Sequence, residues 1–331
     1  MRVIQFIHPG NEFKFHKNKG FVYDSSDKRW IRIWNSDDKH YRKLIKCAGC
    51  YVNPNNPSKP VDADELYFWG EWESYSHFTQ MNGAGIHEPF YGFPKGIQNT
   101  DPYVFGDDGF KYCICQQTGK LLDLNDGDII VFGTNKNNYF CIDTIFVVDL
   151  SKTVLSSDIK KTCGKGFTSR YIDVTLSQLR QYLRLPYKPA PKGKKENKVY
   201  RSRTWYENNH IFSFVPCCIN YKPVKFQISW NDLNYKKYFG KNSQGRKITE
   251  LHDSEIDMFW NWLLGEIMRQ NFVLGISFAE PQTKHLNQSV ISKTQQMVRD
   301  DLAKVMAKQI TNRQELNIEI SWVYNLIKGT V

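Results

Sequence analysis

The sequence predicts an α+β protein with an N-terminal, partly barrel-like β domain and a C-terminal mixed α+β domain. Short apolar and aromatic runs bounded by Gly, Pro, Asn and Asp dominate residues 1–185. The three-four spacing of amphipathic helices occurs in residues 200–331. Between them, residues 186–199 are rich in Pro and Lys, which favours an exposed basic linker. The predicted division is therefore two domains joined by this linker.

The first domain is predicted to contain short buried strands separated by loops. The strands are residues 3–7, 30–34 and 66–69. Residues 53–64, rich in Pro and Asn, are predicted to form a loop. Residues 76–111 are dense in Gly, Pro and aromatics and are predicted to form a long ordered loop or a series of turns.

The most regular part of this domain is a predicted β-hairpin. Two β runs, residues 129–133 and 139–148, are joined by the polar residues 134–138. The turn Gly127-Asp128 leads into the first run. These features, within residues 121–148, resemble the PUA-like superfamily, which includes the ASCH and EVE types. The resemblance implies a small β-barrel that binds RNA or modified bases.

The second domain is predicted to pack two amphipathic helices on a small sheet. Its strands are residues 211–215, 226–228 and 272–278, and a last element spans 318–327. Helical apolar spacing covers residues 254–270 and 288–310. Ser254 and Asp257 have the spacing of a capping box at the start of the first helix.

The charge balance indicates a polyanionic partner. Lys and Arg number 45 against 34 acidic residues, which gives a net charge of +11 and a pI near 9.1. A basic protein attracts nucleic acid through its field and through counterion release, although the same charge also serves solubility. The basic clusters are predicted at residues 39–46, 188–203 and 236–247 and along the last helix.

Nucleic acid, DNA or RNA, is therefore the predicted partner, with recognition of modified or unpaired bases as the finer hypothesis. Aromatic rings suit base stacking, and cations suit phosphates. The residues predicted to make these contacts are Trp69, Trp72, Tyr75, Tyr41, Arg42 and Lys43.

The alternative hypothesis is a metal-assisted or acid/base enzyme acting on nucleic acid or nucleotides. Polar side chains at strand ends can converge on one site, and paired carboxylates can bind a divalent metal or divide acid and base roles. The candidate catalytic residues are His8, His40, Glu71, Glu73 and Asp101. The competing interpretation is that these are exposed charges and ordinary turn residues.

A third hypothesis is a zinc-stabilised interaction protein. Cys47 and Cys50 form a CxxC pair, which supplies half of a four-ligand zinc site. Cys113 and Cys115 form a second pair, with CxC spacing. Packing thiols are the simpler interpretation. The cofactor prediction is accordingly open between a divalent metal and zinc.

Missing motifs narrow the function classes. The sequence has no phosphate-binding P-loop, no GxGxxG, no GxSxG, no HExxH and no zinc-deaminase signature. No apolar run reaches the roughly 20 residues of a membrane span, and the N-terminal residues do not resemble a signal peptide. A cytoplasmic protein with reduced thiols is expected.

Overall fold

The computed structural model describes residues 1–8, 12, 20–33, 41–72, 74–93, 102–113, 119–155, 158, 171, 198–241, 245–293 and 296. Within them the protein is mostly β, with a few helices, and this agrees with the α+β class at a coarse level. Several predicted elements lie outside the described residues. They are most of the linker, the greater part of the helix 288–310 and the element 318–327.

One sheet has seven strands and gathers segments from both ends of the chain. Its order is β15 (Gly245–Glu250), β1 (Arg2–Ile7), β10 (Ile129–Lys136), β11 (Tyr139–Leu155), β12 (Lys198–Ser202) and β9 (Lys111–Tyr112), with β14 (Gln227–Ser229) also paired to β11. Only β1 and β10 run parallel; the other pairings in this sheet are antiparallel.

The second sheet has eight strands. Its order is β13 (Val215–Cys217), β16 (Val273–Phe278), β4 (Arg42–Asn53), β7 (Ile86–Pro89), β6 (Ser76–Thr79), β3 (Arg29–Arg32) and β2 (Phe21–Asp24), with β5 (Asn56–Glu71) paired to β4. A two-stranded parallel ribbon consists of β8 (Tyr91–Phe93) and β17 (Thr283–His285). Both large sheets are open and neither forms a closed barrel in the described chain, so the barrel-like form predicted for residues 1–185 is not found there.

The predicted linker does not divide the sheets. Strand β15 pairs with β1, and β16 pairs with β4, so each sheet contains segments from both predicted domains. A single bridge from Phe214, just before β13, to Ile145 in β11 connects one sheet to the other. The described strands on either side of residues 186–199 therefore belong to the same two sheets.

Two large apolar clusters each draw on both sheets. The first packs Trp69, Val131 and Ile145 against the helix residues Phe259 and Trp260. The second contains Phe6, Phe68, Phe132, Phe146 and Phe278. Strand β1 contributes alternate residues to the two clusters, because successive side chains point to opposite faces. Both of its faces are therefore covered.

The predicted hairpin is present, but its turn is shorter than expected. Strands β10 and β11 extend to Lys136 and from Tyr139, so only Asn137 and Asn138 connect them. Both have positive φ, 50° and 65°, which asparagine tolerates and which two-residue hairpin turns require. The prediction of a five-residue loop was wrong, because residues 134–136 belong to strand β10.

The loop predicted for residues 53–64 is instead part of a long antiparallel hairpin. Strand β5 runs from Asn56 to Glu71 and pairs with β4 along most of its length. Strand β5 can contain Pro57 and Pro60 because residues 56–65 are largely exposed. Among the described strands, this part of β5 pairs only with β4, on one side. Within residues 76–111, the predicted loop contains four short strands, β6 to β9.

Two described helices pack beside the seven-stranded sheet. Helix α1 spans Leu233–Tyr238, and helix α2 spans Asp253–Arg269, one residue away from its predicted bounds. At the start of α2, the Glu255 carboxylate accepts a hydrogen bond from the His252 N–H at 3.1 Å, so the expected cap at Ser254 was displaced by two residues. The helix predicted from residue 288 begins there, and Asn287 Oδ1 accepts from the Val290 N–H.

Candidate functional site

Four charged or titratable side chains meet where strands of both large sheets come together. His8 follows β1, Arg42 begins β4, Glu71 ends β5, and Asp143 lies within β11. His8 Nδ1 is 3.5 Å from Glu71 Oε2, and Arg42 contacts the same oxygen at 3.2 Å. Arg42 Nε lies 2.6 Å from Asp143 Oδ2. All four are buried, so their charges must be compensated locally.

These residues continue toward the surface as an alternating series of charges. Lys225 interacts with Asp143 and lies 3.2 Å from Glu12, which in turn pairs with Lys136 at 2.5 Å. Lys136 is about half exposed, whereas the Lys225 side chain is nearly buried and lies 4.4 Å from the centroid of the Trp69 ring. We call His8, Glu71, Arg42, Asp143, Lys225, Glu12 and Lys136 the charge chain.

Burial and pairing act in opposite directions along the charge chain. Burial raises the pKa of Asp143, while Arg42 and Lys225 oppose the rise. At Glu12, burial disfavours the ionised form, but Lys136 and Lys225 together lower the pKa below its ordinary value. Of the carboxyl groups Asp143 and Glu12, Asp143 therefore holds a proton more readily.

A small cavity lies against the inner end of the charge chain. Its volume is about 20 Å³, enough for one water molecule but not for a nucleotide. Its polar lining comes from Arg42, Glu71, Asp143 and Thr144. Around this water-sized space, Arg42 supplies hydrogen-bond donors and the carboxylates of Glu71 and Asp143 supply acceptors. An acid/base site uses groups of both kinds.

The structure brings together two of the predicted catalytic residues, His8 and Glu71. The others, His40, Glu73 and Asp101, lie outside the described residues. Sequence reasoning missed Asp143, although a carboxylate inside the apolar run YFCIDTIFVV was a usable signal. It also missed Glu12, Lys136 and Lys225, for which no pattern was available because their partners are distant in sequence.

The rings predicted to stack on bases are inside the protein. Trp69, Trp72 and Tyr75 are 7%, 0% and 2% exposed. The Trp72 indole N–H donates to the Tyr75 carbonyl at 2.8 Å, and its ring packs against Phe105. Their burial does not support a stacking pocket here, because the apolar faces of these rings are used in core packing.

The neighbouring cations are also unavailable for phosphate contacts. Arg42 and Lys43 are 3% and 1% exposed, and Lys43 Nζ donates to the Tyr41 carbonyl at 3.0 Å. Tyr41 itself is half-buried. Their burial does not support the prediction that these three residues contact nucleic acid, because the side chains of Arg42 and Lys43 at the start of β4 lie in the interior.

The CxxC pair does not converge on a metal site. Cys50 is buried in the first apolar cluster, whereas Cys47 packs against the second, on the other side of β4. Burial raises the pKa of both thiols, which favours the protonated form that binds zinc poorly. Among the described residues, no group of three or more His, Cys, Asp or Glu could hold a metal ion.

The predicted basic clusters differ in whether their Lys and Arg side chains form ion pairs with carboxylates. In the first, Lys46 contacts Glu65 and Glu88. At the end of the second, Arg201 is paired with Asp149 and Glu207, and Arg203 is paired with Asp126. The third, at residues 236–247, retains exposed lysines.

We call Lys236, Lys237 and Lys241, on and just after α1, the lysine patch. All three are exposed. Lys237 pairs with Glu255 at 3.4 Å, and within the described part of the chain neither of the other two has a carboxylate partner. Lys241 Nζ lies 6.0 Å from the centroid of the half-buried Trp230 ring. This arrangement places one exposed cation beside a half-buried aromatic ring.

Comparison with known proteins assigns no family to this chain. No protein-family model matches it, and no curated protein or solved structure shows significant similarity. No helix among the described residues is long and apolar enough to cross a membrane. The charge chain and the lysine patch are therefore the features of the structure that bear on function.

Proposed function

We propose that the protein binds nucleic acid through the lysine patch. The observation that carries the proposal is the exposure of Lys236, Lys237 and Lys241 within six residues, with a single carboxylate partner among them in the described structure. Exposed ammonium groups that are not compensated can displace the counterions condensed on a phosphate backbone. The net charge of +11 adds long-range attraction for the same ligand.

Unpaired strands are the preferred ligand in this proposal. The half-buried Trp230 ring beside Lys241 can offer part of its surface to a base, and stacking requires a base outside a duplex. The resemblance of residues 121–148 to PUA-like proteins, which bind RNA or modified bases, supports the same class of ligand. Recognition of a modified base would be a refinement of this function.

The test is fluorescence anisotropy with labelled single-stranded DNA, single-stranded RNA and duplex DNA of about 20 nucleotides. Replacing Lys236, Lys237 and Lys241 with Gln should weaken single-strand binding about tenfold or more and reduce the salt slope by about 2. The matched control replaces Lys59, Lys152 and Lys222, which are also exposed, with Gln. Both triple variants lose the same formal charge.

Three outcomes would count against the proposal. The first is no binding by the wild-type protein at low salt. The second is affinity that does not change with salt. The third is an equal loss of affinity in the two triple variants, because the net charge alone would then account for binding.

A second candidate function, an acid/base enzyme acting on nucleotides or nucleic acid, is favoured by the meeting of His8 and Glu71. Glu71, whose carboxylate lies 3.5 Å from His8 Nδ1, lines a water-sized cavity. Incubation with nucleotides, single strands and duplexes should yield products that disappear in the Glu71→Gln variant. Asp143→Asn offers a second test if Glu71→Gln does not fold. Absence of turnover of every substrate by the wild-type protein would remove this candidate.

A further inference from the structure

A bulge in β11 lies beside an open cleft at the protein surface. Strand β11 pairs with β12 through Asp149, and pairing resumes at Val154, so residues 150–153 stand opposite the single residue Tyr200. Bulges turn side chains out of a ladder and are frequent beside functional sites. The cleft has a volume of about 490 Å³, within the range of small-molecule sites. We call it the bulge cleft, and it is lined by Asp126, residues 149–152, Arg203, Glu207 and Asn208.

The carboxylates of the bulge cleft are held by bonds within the protein. Asp126, Asp149 and Glu207 each accept a backbone N–H, and each is paired with an arginine. Arg203 pairs with Asp126, and Arg201 pairs with the other two. Charge-assisted bonds of this kind fix the carboxylates in position and offset their charge.

The donors of the bulge cleft are only partly used. Lys152 is exposed, and its Nζ has no partner among the described residues. The Arg203 guanidinium donates to Asp126 through Nη2, and within the described chain its Nε and Nη1 groups have no acceptor. Asn208 Oδ1 accepts two backbone N–H groups, and no described residue accepts from its Nδ2. Spare N–H donors on two cations and an amide suit a ligand that carries an anion.

We propose that the bulge cleft binds a small phosphorylated sugar. Its phosphate oxygens accept hydrogen bonds from Lys152, Arg203 and the Asn208 amide. Bonds from cationic donors to a phosphate are charge-assisted, so they remain favourable at a partly exposed site.

The carboxylates at the rim select a ligand with hydroxyl groups over a bare anion. The Asp126 and Glu207 side chains are 56% and 35% exposed, so their oxygens can accept further hydrogen bonds. Sugar hydroxyls supply the donors for these oxygens, whereas inorganic phosphate would only be repelled by them. Leu150, which is 37% exposed, offers apolar surface to the carbon atoms of the sugar.

Isothermal titration calorimetry with ribose 5-phosphate, inorganic phosphate and ribose tests the proposal. Ribose 5-phosphate should bind at one site per chain and about tenfold or more tighter than either fragment, because only it engages both sets of groups. The bulge cleft and the lysine patch share no residue, and the titrations contain no nucleic acid. The outcome is therefore independent of the proposed nucleic-acid binding.

Two substitutions test the phosphate contacts. Lys152→Gln removes a cation, and Asn208→Asp keeps the acceptor oxygen of the turn but replaces the amide donor with negative charge. Each should weaken binding of ribose 5-phosphate about tenfold or more. The matched controls Lys222→Gln and Asn82→Asp make the same charge changes at exposed residues outside the cleft and should keep wild-type affinity. Circular dichroism establishes that each variant is folded, and the surface variant Lys152→Gln suffices if Asn208→Asp does not fold.

Absence of saturable binding of ribose 5-phosphate at millimolar concentration would overturn the proposal. Equal affinities for inorganic phosphate and ribose 5-phosphate would also overturn it, since the hydroxyl contacts would then contribute nothing. Cleft variants that bind like the wild type would place the ligand elsewhere, and an equal loss in the controls would assign binding to net charge alone.

Discussion

The charge chain and the lysine patch are built from similar residues in opposite environments. Each places a lysine near a tryptophan ring, Lys225 at 4.4 Å from Trp69 and Lys241 at 6.0 Å from Trp230. In the charge chain the cations alternate with carboxylates, so the charges are compensated inside the protein. In the lysine patch compensation is incomplete among the described residues. The two regions share residue types, and they differ in burial and in the availability of counter-charges.

This difference has an energetic consequence. A buried ion that loses its partner keeps the cost of desolvation without the compensating attraction. An exposed lysine is already hydrated, so its removal changes the folded state little. Substitutions in the charge chain should therefore act on stability, and substitutions in the lysine patch should act on binding.

The largest effect is expected for Arg42→Met. Arg42 contacts Glu71 and Asp143 at once, and methionine fills a similar volume without a charge. The two carboxylates would be left buried beside each other, so we expect a loss of about 3–5 kcal/mol in the free energy of unfolding. Urea denaturation measures this loss. A loss below about 1 kcal/mol would show that water or neighbouring groups already compensate these carboxylates.

The burial of Arg42 also shows where sequence-based prediction stops. The segment containing Arg42, Lys43 and Lys46 has the composition of a nucleic-acid contact, and a charge run is normally exposed. Its partners Glu71 and Asp143 lie on strands β5 and β11, far along the chain. No local pattern identifies such partners, so the direction of these side chains could not be predicted.

A second effect of buried charge is expected from pH. His77 is 4% exposed, and burial, with the nearby cations Lys284 and Arg29, lowers its pKa to about 4 from an ordinary value of 6.5. Unfolding therefore takes up a proton at His77 between these two values, and stability falls as the pH decreases from 6.5 toward 4.

The variant His77→Gln isolates this contribution. Between pH 7.5 and pH 5 the wild type should lose about 2 kcal/mol more than the variant does, because glutamine does not titrate. Glutamine can still accept the hydrogen bond that Lys284 Nζ makes to His77 Nε2 at 2.7 Å. Equal losses in the two proteins would mean that His77 keeps an ordinary pKa in the folded state.

The parts of the fold that were predicted correctly are those with local signals. Helix α2 and the strands β1, β10 and β16 have apolar periodicity that their own residues supply. The shared sheets were not predicted, because pairing of β15 with β1 joins residues about 250 positions apart. In the candidate site, His8 and Glu71 were identified as strand-end residues, whereas Asp143 required knowledge of which strands are neighbours.

A smaller effect is expected for Trp230→Ala, which tests whether the lysine patch includes a stacking surface. Loss of one base–aromatic contact should weaken single-strand binding by about 1 kcal/mol, or roughly fivefold. Binding of duplex DNA should change less, since its bases remain paired. Anisotropy with both ligands measures the difference. An equal loss of affinity for the single strand and for duplex DNA would show that Trp230 does not stack on an unpaired base.

The smallest effect on stability is expected for Lys236→Ala, the counterpart of Arg42→Met. Lys236 is exposed on α1, and none of the described residues forms an ion pair with it. Alanine is also the best helix former, so the free energy of unfolding should change by less than about 0.5 kcal/mol. The same variant should lower affinity for a single strand and reduce the salt slope by about 0.7. A large loss of stability here would mean that the lysine patch, like the charge chain, serves the fold, and the contrast between the two regions would disappear.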